Sequence, residues 1–328
     1  MPTETVSKEI ENVRVEVPNQ EVVEEIKRVQ SDPDTDYGYR KMYFVLMMLG
    51  YYINHKKVYR LMQESGLLKE RYKRIGKTYA KYRIVIPEGP LEVLEMDIKL
   101  VWVMKDRRHA YVLTVIDTFT RAVLYRGSGF AMKSAQVQRA WEYIILHHLQ
   151  PADMLRKKIH IEVRNDNGPQ FASKVIRQFF ELNYLDQVFT HPYTPQENGH
   201  IESFHSILSK AIGSQVFWDL PELETFLILF YEKYNNHRIH ASIANLSPRL
   251  FWNLWEDGKI SRTVLKNKKV RFNLLMPYQQ LSGKMNLKEV PCLLSSEFDT
   301  QKKVQKEVSG PEALQQPSVQ KSPSVVPC

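Results

Sequence analysis

Three acidic residues in this chain have the type and spacing for chemistry on a phosphate ester. Asp97 lies in LEVLEMDIKLVWV, Asp166 in RNDNGPQF and Glu202 in YTPQENGHIESFHSILSK, with 35 residues between the last two. Carboxyl groups with ordinary pKa values near 4 are ionised at neutral pH. Two such charges 4 Å apart repel by roughly 4 kcal/mol at an effective dielectric of 20, so three that converge need cations. Mg²⁺ suits such a set because it is hard, prefers oxygen ligands and keeps some of its waters, and Mn²⁺ can substitute. Two ions about 3.5 to 4 Å apart could activate water or a 3′-hydroxyl and stabilise the leaving oxygen of an in-line attack on phosphorus. No side chain need become covalently linked.

The elements that must position these acids are readable around each one. Leu94, Met96, Ile98, Leu100 and Trp102 alternate with Glu95, Asp97 and Lys99, the period of a half-buried strand with Asp97 on its polar side. Ile159, Ile161 and Val163 form a second strand that runs into Asp166, and Asn167-Gly168 is a turn signal that accommodates positive φ. Ile201, Phe204, Leu208 and Ile212 form a helical apolar stripe with Glu202 off it. HAYVLTVIDTF and AVLYRGSGF supply two more strands, Gln187 to Thr190 a fifth, and helices are expected at about 133–149, from Phe171 to Leu182, and over PELETFLILFYEKYNNHRIH. Asp117 competes for a catalytic seat. Its neighbours Thr118 and Thr120, between two strands, favour a turn in which the carboxylate accepts backbone N–H bonds.

These five segments resemble a known family: MDI at 96–98, VIDTFTRAV at 115–123, RNDNGPQF at 164–171, YTPQENGHIESFH at 193–205 and YNNHRIHASIANLSP at 234–248. Together they are similar to the D,D-35-E signature of integrase-like transposases and retroviral integrases. The closer likeness is to orfB-type transposases of the insertion-sequence-three family, from about Tyr37 to Phe251. The resemblance implies an α/β, ribonuclease-H-like core with a mixed five-stranded sheet flanked by helices. It implies that Asp97, Asp166 and Glu202 are the catalytic residues and metal ligands, with Asp97 bridging two ions. It also implies double-stranded DNA as partner (element ends and target), a homo-oligomer, an upstream orfA product or frameshift fusion, and a cytoplasmic, nucleoid-associated setting in a bacterium. One position departs from the pattern. The family usually carries Lys or Arg seven residues after the glutamate, where this chain has Ser209, with Lys210 rotated by roughly a quarter turn. A catalytically inactive DNA-binding regulator and a nuclease that only hydrolyses are the competing readings.

Composition agrees with a polyanionic partner. The 328 residues carry a formal charge of +9, and residues 40–83 hold twelve Lys/Arg against two acids. The only cysteines are Cys292 and Cys328, which excludes a disulfide framework and a Cys-x-x-Cys zinc site. His191, His200, His205, His237 and His240 do not make a recognised ligand set and read as structural or DNA-contacting. No apolar run reaches 18 residues and the N-terminus MPTETVSKEIENV lacks a signal-peptide core, so a soluble intracellular protein is expected. The initial Met and the lack of leucine-zipper heptads suit an orfB portion.

The expected order is a polar, frayed segment at 1–20, then a helix-turn-helix-like domain at 21–66 built from three short helices. The third is capped by Asn54 and presents Lys56, Lys57 and Arg60. A basic linker at 67–90 interleaves seven cations, among them Lys73 and Arg74, with Tyr72, Tyr79 and Tyr82, suiting phosphate contacts and stacking. The catalytic core spans 91–255 and a basic appendage 256–294. A tail at 295–328, rich in Gln, Ser, Lys and Pro, is expected to be disordered.

Overall fold

The computed structural model describes residues 4–10, 13–32, 35, 37–69, 86–190, 195–265 and 269–282. The chain divides into two units, Met1–Asn286 and Leu287–Cys328, and all the described residues lie in the first. The basic strip with Lys73 and Arg74, and the tail at 295–328, lie outside the described residues.

The described residues of the N-terminal segment, 4–10 and 13–20, are not frayed. Val6, Lys8 and Ile10, then Val13, Val15 and Val17, alternate with the period of a strand, and they form a hairpin of β1 (Thr5–Ile10) and β2 (Val13–Pro18). Val6 and Val17 pair directly and are buried; the charged residues between them mask the pattern in the sequence. The hairpin packs on α1 (Asn19–Gln30), whose Val22, Val23, Ile26 and Val29 are buried. Next come α2 (Tyr39–Met48), a two-residue strand β3 (Tyr51–Tyr52) that completes a sheet in the order β2-β1-β3, and α3 (His55–Glu64). Gly50 makes that sheet possible. Its φ is +91° and a Cβ there would lie 2.7 Å from the Glu9 carbonyl oxygen. Asn54 caps α3 as expected, its side chain accepting from Lys56 N at 2.8 Å.

The core is the expected α/β, ribonuclease-H-like arrangement. A meander of β4 (Val93–Val103), β5 (Arg108–Asp117) and β6 (Val123–Gly129) is followed by α4 (Ser134–Ile144), which runs on through Leu149 as one wide turn. Then come β7 (Ile161–Asn165), α5 (Pro169–Ala172), α6 (Lys174–Leu182), β8 (Leu185–Phe189), α7 (Gly199–Ile212) and α8 (Leu220–Asn236). The five strands order as β6-β5-β4-β7-β8, antiparallel within the meander and parallel from β4 to β8. After the core, α9 (Pro248–Glu256) leads into an antiparallel pair, β9 (Ile260–Val264) and β10 (Val270–Leu274).

Both faces of the sheet are covered, which corrects the half-buried reading of β4. Leu94, Met96 and Ile98 pack with Trp141, Ile176 and Phe180 beneath α4 and α6. Val101 and Val103, on the face assigned to the polar residues, pack with Phe204, Leu208, Phe230 and Tyr231 of α7 and α8. Leu100 and Trp102 are instead exposed, at 52% and 44%, because the strand outruns the helices on their side. The face carrying Asp97 is therefore an interior one, roofed by α7.

Asp117 has the structural role expected of it. Fully buried at the end of β5, it accepts from Leu91 N (3.1 Å), Phe119 N (3.4 Å), Thr120 N (2.9 Å) and Thr120 Oγ1 (2.6 Å). The segment YNNHRIHASIANLSP joins the helical part to the core. Ile239 N donates to Tyr37 Oη at 3.0 Å, Lys41 Nζ donates to Ile239 O at 2.8 Å, and Lys233 pairs with Asp32 at 2.9 Å.

Candidate active site

β4 carries Glu95 and Asp97 on one face, two residues apart and so about 7 Å apart along the strand. Parallel pairing of Glu95 with Arg164 places Asp166, one residue beyond β7, level with Asp97 on the adjacent strand. Helix α7 lies over this face. Ile201, Phe204 and Leu208 are buried as the stripe requires, while Glu202 stays exposed at the helix start.

Helix α7 sets Glu202 on the same side of the sheet as Asp97, through His205. Although solvent reaches Glu202, partial desolvation against the sheet, then the charges of Asp97 and Glu95, hold its carboxyl above the usual range. Asp97 Oδ2 lies 3.3 Å from Nδ1 of His205, one turn along α7 from Glu202, and its Oδ1 accepts from Ile98 N at 2.7 Å. Asp166 occupies the expected strand end, but its Oδ1 accepts from Gly168 N at 2.9 Å. Among the described residues, no group of three or more His, Cys, Asp or Glu is arranged to hold a metal ion. Three like charges drawn together repel, and Asp97 and Asp166 each have a nearby N–H to turn to.

The donor set nevertheless fits hard divalent cations in its chemistry. The oxygens are carboxylate, the like charges at Glu202 are those a cation relieves, and the register sets Asp166 beside Asp97.

The turn after Asp166 differs from the expectation in its cause. Gly168 has φ −56°, so no left-handed residue is needed. A Cβ there would overlap Gln170 Nε2 and come within 2.9 Å of Asp166 Oδ1, so a larger residue would push both side chains aside. Asn165 anchors the turn, accepting through its side chain from Gln187 Nε2 (3.0 Å) and through its carbonyl from Thr190 N (3.0 Å).

Sequence reasoning overlooked two residues that hold this frame. Arg164, buried beside Glu162, donates to the carbonyl of Glu197 at 2.9 Å, tying β7 to the turn that enters α7. Glu95, only 1% exposed, accepts from His200 N (3.0 Å) and Ile201 N (2.8 Å) through one oxygen, and its other lies 2.9 Å from His200 Nδ1. Burial pushes its pKa up to about 7. The one signal available was its place on the Asp97 face.

The cations singled out from sequence divide. Lys56 is exposed on α3, Lys57 donates to the Thr5 carbonyl, and Arg60 lies 3.6 Å from Glu64. Lys210 is exposed in the last turn of α7, and Ser209 Oγ donates back to the His205 carbonyl at 2.7 Å. Among the described residues, no helix is long and apolar enough to cross a membrane.

Comparison with known proteins agrees with this architecture. Residues 87–195 and 184–248 match models described as integrase core domain, and 18–75 a model described as HTH-like domain. A protein of insertion element IS407 from Burkholderia multivorans is 26% identical over 217 residues, 66% of this chain and 75% of that protein. The "Putative transposase InsK for insertion sequence element IS150" of Escherichia coli K12 is 25% identical over 244 residues, 70% of this chain and 81% of that protein. Among solved structures, the catalytic core domain of BIV integrase aligns with a TM-score of 0.38 at 19% identity, covering 52% of this chain and 98% of that one. The chain is thus similar to integrase core domains over residues 87–248 and to an HTH-like domain over 18–75, and to proteins of bacterial insertion elements over about two thirds of its length.

Proposed function

We propose that the chain is a DDE polynucleotidyl transferase. It cleaves DNA at the ends of an insertion sequence and joins the freed 3′-hydroxyl to a target, with two Mg²⁺ ions, or Mn²⁺ in their place. The observation that carries this reading is the seating of α7 on β4, where His205, one turn from Glu202, lies 3.3 Å from Asp97, with Asp166 next in register. Divalent cations bound there would neutralise the phosphate and supply an activated nucleophile. Asp97, Asp166 and Glu202 would hold them from two adjacent strands and one helix. Elements covered on both sides keep such ligands more precisely placed than loops do.

DNA would be engaged by other parts of the chain. Lys56 stands free of the hairpin contact that occupies Lys57, and Arg60 shares its face; Lys73 and Arg74 extend the basic strip. Lys210 is the phosphate contact on the helix of Glu202. Both parts acting on two element ends at once implies a homo-oligomer, with an upstream orfA product or fusion as a further partner, and a cytoplasmic, nucleoid-associated setting. The proposed organisation is a helix-turn-helix-like domain to residue 66, a basic linker to 90, a catalytic core to 255 and a basic appendage to 294.

The test uses labelled duplexes carrying the ends of the element that encodes the chain, incubated with full-length protein and Mg²⁺. Joined products support the reading. Cleaved products alone identify a nuclease, and retention with neither identifies a DNA-binding regulator.

A further inference from the structure

Helix α7 begins without a cap of its own. Asn198 stands in the capping position with φ −114° and ψ 33°, and its side chain makes no capping hydrogen bond. The first N–H groups of a helix need acceptors. Here Glu95 supplies them, accepting from His200 N and Ile201 N as an N-cap side chain would, but from across the sheet. Its strand is hydrogen-bonded on both sides, to β5 and β7. A second tie, His205 to Asp97, follows along the same helix at 3.3 Å, and Glu202 lies between the two.

We propose that Glu95 is a positioning residue for the metal-binding acids. It anchors the first turn of α7 to β4 and thereby sets Glu202 against Asp97. This inference rests on the transferase reading above. Removing the anchor frees two buried N–H groups and lets the helix start shift relative to the strand. Partners that orient metal ligands without touching the ion typically affect affinity by about 10- to 100-fold. A glutamine preserves the anchor: its oxygen accepts both N–H groups and its amide can donate to His200 Nδ1.

The experiment combines Mn²⁺ titration of full-length protein with amide hydrogen exchange in wild type, Glu95→Ala, Glu95→Gln and Glu202→Gln. The expected result is a loss of about 10- to 100-fold in Mn²⁺ affinity for Glu95→Ala, with exchange protection lost at the start of α7 and kept in β5 and α4. Glu95→Gln should keep both properties. Wild-type Mn²⁺ affinity in Glu95→Ala overturns the proposal. So does loss of protection throughout the core in both Glu95 variants, which marks a general folding role. If wild type itself shows no Mn²⁺ binding that Glu202→Gln removes, the metal reading fails, and with it any role for Glu95 in metal binding. The exchange data then still report whether Glu95 anchors the helix.

Discussion

Asp117→Asn separates the carboxylate that builds the core from those that would act on substrate. Asp117 accepts on both oxygens, from Leu91 N and Phe119 N on one side and from Thr120 N and Thr120 Oγ1 on the other. An asparagine keeps one accepting oxygen and turns an NH₂ toward the other pair of donors. The Thr120 hydroxyl can rotate to accept, but at least one backbone N–H is left facing a donor. Stranding a buried donor costs about 1–3 kcal/mol. Leu91, one of these donors, is held at φ 68°, where residues other than glycine are strained. A destabilisation of about 2 kcal/mol corresponds to a melting temperature lower by about 4–8 °C. Asp117→Ala, which strands three backbone N–H groups, should cost more. The assay is thermal unfolding alongside strand transfer measured well below the transition. The expected outcome is a lower melting temperature with joining per folded molecule within about twofold of wild type. Unchanged melting with joining abolished would refute the argument and make Asp117 a catalytic acid.

Other consequences concern the cations. Burial, with Arg238 nearby, holds the Lys41 pKa down to about 8, so the fold disfavours its charged form. A lysine with a depressed folded-state pKa contributes fully above its ordinary value of 10.5 and loses that contribution as pH falls through about 8. The stability of wild type relative to Lys41→Met should therefore rise by about 2–3 kcal/mol between pH 8 and 10.5 in urea titrations; a flat difference would contradict it. On α3, Lys56→Ala should lower the slope of log affinity against log salt by about 0.9, as for one lost phosphate contact, and leave melting unchanged. Lys57→Ala should instead destabilise the N-terminal sheet by about 1 kcal/mol, since its amine is bonded to the Thr5 carbonyl. Equal effects of the two on both readouts would reject that division.

Much of this architecture is legible in the chain because local signals and tertiary structure agree there. Asn54 caps α3, the Ile201-Phe204-Leu208 stripe faces the sheet, and Thr118 and Thr120 mark the turn at Asp117. Where the reading fails, the deciding force acts between distant segments. The β1–β2 hairpin alternates valines with charged residues that suggest a solvated tail, and its burial depends on α1 packing against it. The far end of β4 reverses its expected exposure because α7 and α8, more than 90 residues later, cover Val101 and Val103 and not Trp102. Glu95 and Asp97 look equivalent as alternating acids. Only the arrival of the α7 N-terminus makes one an interior cap and leaves the other beside Glu202. Gly168 is legible as a turn residue, but the crowding of the Gln170 and Asp166 side chains over it is visible only in three dimensions.

The central claim is that Asp97, Asp166 and Glu202 act as one metal-holding set. It is tested most directly by comparing Mg²⁺-dependent joining by wild type, Asp97→Asn, Asp166→Asn and Glu202→Gln on the same end duplexes, with DNA retention measured in parallel. Because partners that merely orient a metal ligand cost about 10- to 100-fold when lost, each of the three substitutions should lower joining by more than about a hundredfold. Retention should stay within about twofold, since none of the three removes a cation. Joining that survives Asp166→Asn, the acid whose side chain is turned toward Gly168, would contradict the account.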